Sequence, residues 1–239
     1  MRIGLDFLAH AFQFPAATEP AWSGQMERWY QLDASAYGVA DATHAWQRQL
    51  RDRPDLVILA SPDGSNHTDW LFAHTEGTSP SLFVHTLPST RGSALCQVMN
   101  WNGPVLCIQN GPITRLTAVR EAVALLGQEI ATVWIVSVQP DRLPDAHAAV
   151  HLLTVRTVGT ASATFEIEAR RGAQSADEAS LQSDAPLLAW LRDGHPAESV
   201  LQLLGGYVLT QWAEDAPRRS PHRPAHRSGG RSRDSADPR

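Results

Sequence analysis

The chain of 239 residues contains no lysine, because all 20 of its basic residues are arginine. This excludes mechanisms that need a lysine, such as Schiff-base chemistry or the lysine of a phosphate-binding P-loop. The two cysteines, Cys96 and Cys107, are too far apart for a CxxC motif and do not fit a zinc ribbon. The GxSxG, GxGxxG and HExxH motifs are also absent. The usual signatures of hydrolases, dinucleotide-binding proteins and zinc proteases are therefore missing.

Long apolar runs are missing as well. No stretch approaches the roughly 18 apolar residues that indicate a membrane-spanning helix. Polar residues at Asp6, His10 and Gln13 interrupt the segment where the apolar core of a signal peptide would lie. We therefore expect a cytoplasmic protein without a membrane span.

Charge is distributed unevenly along the chain. The formal net charge is −5, yet residues 217–239 hold seven Arg and two Asp, so residues 1–216 are strongly acidic. An acidic body opposes nucleic-acid binding, and we expect no nucleic-acid partner. With 43% hydrophobic residues, the body can bury a core. We predict one domain over 1–216 and a disordered Arg/Pro/Ser-rich tail over 217–239.

Apolar periodicity predicts the secondary structure. Short apolar runs bounded by turn residues predict strands, and the run Leu56–Ala60 has the continuous apolar character of a strand buried on both faces. The segment 18–37 is rich in tryptophan and looks irregular. The predicted strands are Arg2–Phe14, Leu56–Ala60, Val105–Ile108, Ala131–Val138, Ala149–Thr157, Ala161–Arg170 and Tyr207–Trp212; the predicted helices are Ala42–Arg53, Ser89–Met99, Ile113–Leu126, Pro186–Arg192 and Pro196–Leu204.

The helix Ile113–Leu126 is the clearest of these elements, with apolar residues on one face at spacings of three and four. Pro112 suits its first position and Gly127 suits its end. Strand, helix and strand in this order form a βαβ unit with parallel strands. The runs Ala149–Thr157 and Ala161–Arg170 flank a turn and predict an antiparallel hairpin. The predicted fold is α/β, with helices on both faces of a mostly parallel sheet and a small antiparallel hairpin.

Residues 79–138 carry a resemblance to a known family. Ser79-Pro80, Phe83, a Gly103-Pro104 pair, a short strand, a helix and a strand follow one another as in the β-ketoacyl synthase N-terminal domain, a thiolase-like fold. In particular, the chain resembles the stand-alone ketosynthase-like proteins called chain-length factors, which accompany type II synthases of aryl-polyene and xanthomonadin-like pigments. The Pro-Leu-Leu segment and Gly-rich, Trp-containing run within 186–212 add to this resemblance. It implies one half of a thiolase fold.

The resemblance implies that catalysis is lost. Active ketosynthases keep a nucleophilic cysteine at the first turn of the helix, where the helix end and backbone N–H groups assist it. Aligned on Gly103-Pro104, that position falls on Pro112, which has neither a thiol nor an N–H. Asn110, Gly111, Pro112 and His85 are then the candidates for the turn and the acyl site.

The resemblance also implies partners. A non-catalytic subunit of this kind would pair with an active ketosynthase as a heterodimer, or with a second copy as a homodimer, and would meet an acyl carrier protein. The arginine-rich tail is interpreted as a solvated end, with docking to an acidic carrier protein or to anionic lipid as alternatives. No cofactor and no metal are expected. The other hypotheses are an acyl hydrolase with an unrecognised site, which a His67→Ala change would test, and a stand-alone acyl-binding or scaffold protein.

Two groups of histidines and carboxylates are possible metal ligands. Asp63, His67 and Asp69 lie within seven residues, but glycine and asparagine between them favour an ordinary polar turn. His147 and His151 are four residues apart without a carboxylate that completes a site.

Cysteines and tryptophans have simpler interpretations. We expect Cys96 and Cys107 to be small buried residues. Trp22, Trp29 and Trp46 are expected to pack in the core or to form a lid, with an acyl-binding wall or partner surface as the alternative.

Overall fold

A computed structural model describes residues 2–14, 16–50, 52–62, 66–77, 80–87, 89–127, 129–139, 148–157, 163–169, 200–203 and 207–211. Three short 3₁₀ turns span Ser23–Gln25, Trp29–Gln31 and Gly111–Ile113. The strands and helices are β1 (Arg2–Phe12), α1 (Ala34–Gln47), β2 (Leu56–Ala60), α2 (Asn66–His74), α3 (Pro80–His85), α4 (Ser89–Met99), β3 (Val105–Ile108), α5 (Thr114–Leu125), β4 (Thr132–Gln139), β5 (Ala148–Thr157), β6 (Ala163–Ala169), β7 (Val200–Leu203) and β8 (Tyr207–Gln211).

The described strands form one mixed sheet in the order β3-β2-β4-β5-β1-β6-β8-β7. β2 runs parallel to β3 on one side and to β4 on the other. The remaining described pairs are antiparallel. The predicted α/β class is confirmed. The prediction of a mostly parallel sheet is wrong for these strands, because only β2, β3 and β4 run parallel to one another.

The predicted hairpin is the main error in strand pairing. β5 and β6 follow each other in sequence but do not pair, because β1 lies between them and is antiparallel to both. Leu5 of β1, for example, lies opposite Val155 of β5 and Ala163 of β6. Alternating polarity identifies a strand with one wet face, but it does not identify the neighbouring strand. The first strand of the chain therefore occupies the interior of the sheet.

The two faces of the sheet bury separate apolar clusters. Along β4, Trp134 and Val136 point to the cluster that contains α1 and α4, whereas Val133 and Ile135 point to the cluster under α5. This alternation is the period of two that a strand imposes on its side chains. Helices therefore cover both faces, which confirms the predicted three-layer arrangement.

Helix α1 begins earlier than predicted. The prediction placed a helix at Ala42–Arg53, but α1 starts at Ala34, within the segment expected to be irregular. Asp33 caps it, since its carboxylate accepts a hydrogen bond from the Ala36 N–H at 2.7 Å. Around the predicted helix Pro196–Leu204, residues 200–203 form strand β7 instead.

Some expectations concern residues that the structure does not describe. The predicted helix Pro186–Arg192, the 217–239 tail, Asp63 and His147 all lie outside the described residues. In the part of the chain that is described, none of the helices combines the length and the apolar character needed to cross a membrane.

Two of the three early tryptophans are core residues. Trp22 and Trp46 are fully buried, which confirms the packing interpretation for them, while Trp29 is half-buried against the same cluster. The indole N–H of Trp22 donates to Asp41 at 2.9 Å, and His10 Nε2 lies 2.8 Å from the other carboxylate oxygen. Burial raises the pKa of Asp41, but the hydrogen bonds from His10 and Trp22 outweigh it, so that pKa lies below its usual value.

Gly38 allows α1 to pack against β1. A methyl group at this position would lie 2.3 Å from the ring of Phe12, which is itself buried. We expect Gly38→Ala to destabilise the fold by about 1–3 kcal/mol, although alanine favours helices, because the ring has to move. Urea unfolding measures this change.

Gly24→Ala is the matched control. Gly24 has open space around its Cβ position, so its free energy of unfolding should change by no more than about 0.5 kcal/mol. Equal stability of the two variants would contradict the close packing of α1 on Phe12.

Candidate functional site

The candidate site is the turn between β3 and α5, residues 109–113, which we call the β3–α5 turn. β3 ends at Ile108, a 3₁₀ turn spans Gly111–Ile113, and α5 begins at Thr114. Pro112 occupies the first turn of this helical segment, and its side chain is exposed. The structure therefore brings Asn110, Gly111 and Pro112 together at a strand-to-helix junction, as predicted from the sequence.

Hydrogen bonds within the turn fix its shape. The Thr114 hydroxyl donates to the Gly111 carbonyl at 2.8 Å and accepts from the Asn110 N–H at 2.7 Å. The Asn110 side-chain amide donates to the Thr117 hydroxyl at 2.9 Å. Gly111 has φ of +52°, in the left-handed region that glycine adopts without strain. The chain therefore passes from strand β3 into helix α5 through a turn whose left-handed residue is Gly111.

The turn carries no nucleophile. Pro112 has no reactive group on its side chain and no N–H to offer to a developing oxyanion. Neighbouring Gly111 adds no side chain, and the amide of Asn110 is engaged with Thr117. Residues 110–112 of this turn therefore supply no thiol and no general base. Assignment of Pro112 to a former nucleophile position stays a prediction.

His85 has a structural contact. It lies at the end of α3 with only 8% of its surface exposed, and its Nε2–H donates to the Gln31 carbonyl at 2.6 Å. This bond joins α3 to the 3₁₀ turn Trp29–Gln31 instead of to the β3–α5 turn. A role for His85 at the entrance of an acyl site stays a prediction.

Cys107 is not the buried residue that we expected. β3 is the edge strand of the sheet, so the side chain of Cys107 is exposed. Nearby protein atoms still desolvate the sulfur and raise the pKa of this thiol, while Arg91 partly offsets the rise. Cys96 is half-buried, and burial raises its thiol pKa as well. Raised pKa values oppose a nucleophilic role for either cysteine at neutral pH.

A cavity of about 120 Å³ lies beside this turn, beneath α1 and α4. Its floor is formed by the C-terminal ends of β2, β3 and β4. Arg91 of α4 lines it, is only 7% exposed, and donates from Nη1 to the Ser61 hydroxyl at 2.8 Å. Sequence analysis did not identify Arg91, because an arginine on a helix is usually a solvated residue. The lining residues are Val39, Leu59, Ala60, Ser61, Arg91, Cys107, Ile108, Gln109, Val136 and Val138.

The possible metal ligands do not assemble within the described residues. Asp69 lies on α2, and the side chain of His67 is outside the described part. His151 is buried on β5 and stacks on Phe7, with ring centroids 5.5 Å apart. Across the described ranges, no group of three or more His, Cys, Asp or Glu side chains could hold a metal ion.

Gly111→Ala tests the geometry of the β3–α5 turn. Nothing lies within 4 Å of a methyl group placed at Gly111, so any effect comes from its backbone conformation alone. An L-residue at φ +52° costs about 1–2 kcal/mol, and we expect a loss of that size in the free energy of unfolding.

Gly127→Ala, at a position with equally open space and no positive φ, is the control. A Gly111→Ala protein as stable as the Gly127→Ala protein would show that the turn does not need the left-handed residue. Chemical denaturation of both proteins provides the comparison.

The fold has counterparts among solved structures. No protein-family model and no curated protein matches the chain. A chain from the complex of the ketosynthase ApeO with its chain length factor ApeC from Xenorhabdus doucetiae has a TM-score of 0.56 and 16% identity, over 89% of this chain and 100% of that one. A chain of the ishigamide ketosynthase/chain length factor has a TM-score of 0.50 and 15% identity, over 76% of this chain and 61% of that one.

These similarities show the fold. At such identities they do not transfer activity, and the match to the ishigamide structure spans less than two thirds of that chain. The chain has the α/β fold of ketosynthase and chain length factor structures, with the β3–α5 turn at its strand-to-helix junction.

Proposed function

We propose that the chain is a non-catalytic, ketosynthase-like subunit that works as a chain length factor beside an active ketosynthase. The observation that carries this proposal is the β3–α5 turn, where a parallel strand passes into a helix and Pro112 occupies the first helical turn. Loss of a single oxyanion donor costs about 10²–10³ in rate, and loss of the nucleophile removes covalent catalysis. Proline is well suited to the first helical turn, so the fold is kept while the chemistry is removed.

Similarity of fold supports the choice of partner. The two matching structures are described as a ketosynthase in complex with its chain length factor and as a ketosynthase/chain length factor. The proposed role is therefore in polyketide-type assembly, with a ketosynthase as the partner. Pigment synthesis, contact with an acyl carrier protein and control of product length are finer parts of this proposal.

Edge strand β3 is the proposed partner surface. It lies at one end of the sheet, so its outer edge has no strand neighbour among the described residues. Val105 and Leu106 on this strand are 36% and 40% exposed. An apolar strand with unpaired backbone N–H and C=O groups is a template for a further strand. We propose that the ketosynthase adds its own strand at this edge.

Leu106→Asp tests the partner surface. A carboxylate among the apolar groups of an interface is desolvated without a counter-charge, and we expect at least about tenfold weaker binding of the ketosynthase. The measurement is co-purification of the tagged chain from its native host, with the ketosynthase identified and quantified by mass spectrometry.

Leu125→Asp is the matched control, because Leu125 is 41% exposed at the end of α5, away from the edge strand. It should retain the ketosynthase. A wild-type chain that recovers no ketosynthase would contradict the proposed function, whereas equal recovery by both variants would contradict only the location of the surface.

Condensing activity should be absent from the chain itself. We expect no carbon–carbon bond formation when the purified protein is given acyl and malonyl thioesters of a carrier protein. Pro112→Cys should not create this activity, because condensation also needs acid–base groups beside the thiol, and His85 contacts Gln31 instead of this turn. Mass spectrometry of the carrier-bound products detects turnover. Condensation by the wild-type chain would contradict a non-catalytic role.

A further inference from the structure

The same tripeptide occurs on both sides of strand β3. Asn102-Gly103-Pro104 comes directly before the strand, and Asn110-Gly111-Pro112 comes after it, separated from it by Gln109. Asparagine followed by glycine is prone to spontaneous deamidation, because glycine has no Cβ to shield its backbone nitrogen. We infer that Asn102 is a site of this covalent modification in the folded chain, whereas Asn110 is protected from it.

The reaction needs neither an oxidant nor an enzyme. The backbone nitrogen of Gly103 gives up its proton and attacks the side-chain amide carbon of Asn102. A new C–N bond forms, the C–N bond of the side-chain amide breaks, and its nitrogen takes up a proton and leaves as ammonia. Water then opens the resulting succinimide ring on either side, which gives aspartate or isoaspartate at position 102. A neutral side chain thereby becomes a carboxylate.

Asn102 is in a position that permits this attack. It is exposed, it belongs to no helix or strand, and its side-chain amide makes no hydrogen bond within the part of the chain that the structure describes. A Cβ atom on Gly103 would lie 2.2 Å from the ring of the buried Trp101, so the packing of this tryptophan requires glycine here. The attacking nitrogen therefore belongs to the residue type that shields it least.

Asn110 has the same two residues after it but a different environment. Its side-chain amide donates to the Thr117 hydroxyl at 2.9 Å, and its backbone N–H donates to the Thr114 hydroxyl at 2.7 Å. For the nitrogen of Gly111 to attack, the side chain of Asn110 has to turn toward it and give up the bond to Thr117. We therefore expect the β3–α5 turn to hold the two reacting atoms apart.

Modification of Asn102 changes the chain where β3 begins. The carbonyl of Pro104, just before β3, accepts a hydrogen bond from the Val57 N–H at 3.1 Å. Isoaspartate lengthens the main chain by a methylene group shortly before this bond, and both products add a negative charge ahead of the exposed apolar residues of the strand. The inference does not depend on the proposed function, since the reaction needs only this chain and water.

The test compares the two asparagines within one peptide. Trypsin cleaves after arginine, so both asparagines fall in the peptide of residues 92–115. The purified full chain is incubated in mildly alkaline buffer, and tandem mass spectrometry measures at each asparagine the mass increase of about 1 Da that deamidation causes. Asn102 should react at least about tenfold faster than Asn110, because Asn110 has to break the hydrogen bonds of its turn first. An unaged sample corrects for reaction during digestion.

Unfolding the chain in guanidinium chloride provides the matched control, because the two tripeptides are identical. Once the turn is lost, the two asparagines should react at rates within about twofold of each other. Thr117→Ala removes the acceptor of the Asn110 amide, and in the folded chain it should speed the reaction at Asn110 at least about threefold and leave Asn102 unchanged. Circular dichroism checks that this variant remains folded.

Three outcomes would overturn the inference. Equal rates in the folded chain, or a faster reaction at Asn110, would show that the fold does not distinguish the two sites. A difference that persists in the unfolded chain would assign it to the sequence instead of the structure. An unchanged rate at Asn110 in Thr117→Ala would remove the hydrogen bond as the source of protection. Recovery of the ketosynthase enters none of these measurements, so the proposed function can fail or hold separately.

Discussion

Burial of β2 is the constraint on which the rest of the structure depends. All five of its residues are buried, and both of its edges are paired, with β3 on one side and β4 on the other. A strand in this position needs apolar side chains on both faces, and Leu56–Ala60 supplies them to two separate clusters. Because β3 and β4 are positioned by β2, the β3–α5 turn and the cavity are positioned by it as well.

The same strand positions two separate features, the β3–α5 turn and the cavity. The β3–α5 turn requires a parallel strand that ends at the surface and a helix that starts beside it, and Gly111 and Thr114 maintain this reversal without any reactive group. The cavity requires only that chain segments leave β2 and β3 on opposite faces. Pro112 lies in the first of these features and outside the lining of the second.

Much of the core could be predicted from the sequence, because local patterns determine it. The bounds of β2, β3 and α4 are those that their apolar residues and flanking turns indicate. Non-local features were missed. The insertion of β1 between β5 and β6 depends on strand order, which alternation does not encode. The start of α1 was missed because the Asp33 cap was not recognised ahead of a segment rich in tryptophan.

In the candidate site, too, local features could be predicted from the sequence and non-local ones could not. The junction at Pro112 could be predicted because proline and glycine mark the start of a helix in the sequence itself. Arg91 and the exposure of Cys107 could not, since both depend on how α4 lies over the sheet and on β3 being its outermost strand. A short apolar run does not reveal whether it lies in the middle of a sheet or at its border.

The shortness of β3 has a consequence for self-association of the chain. Four residues of strand extend only about 13 Å. Long, flat, apolar borders promote fibre growth, and natural proteins counter this with very short border strands. β3 therefore offers too few backbone groups to nucleate self-propagating stacks, while its valine and leucine still provide contact area. The short length of this border thus opposes edge-to-edge stacking of copies of the chain, even though its side chains are apolar.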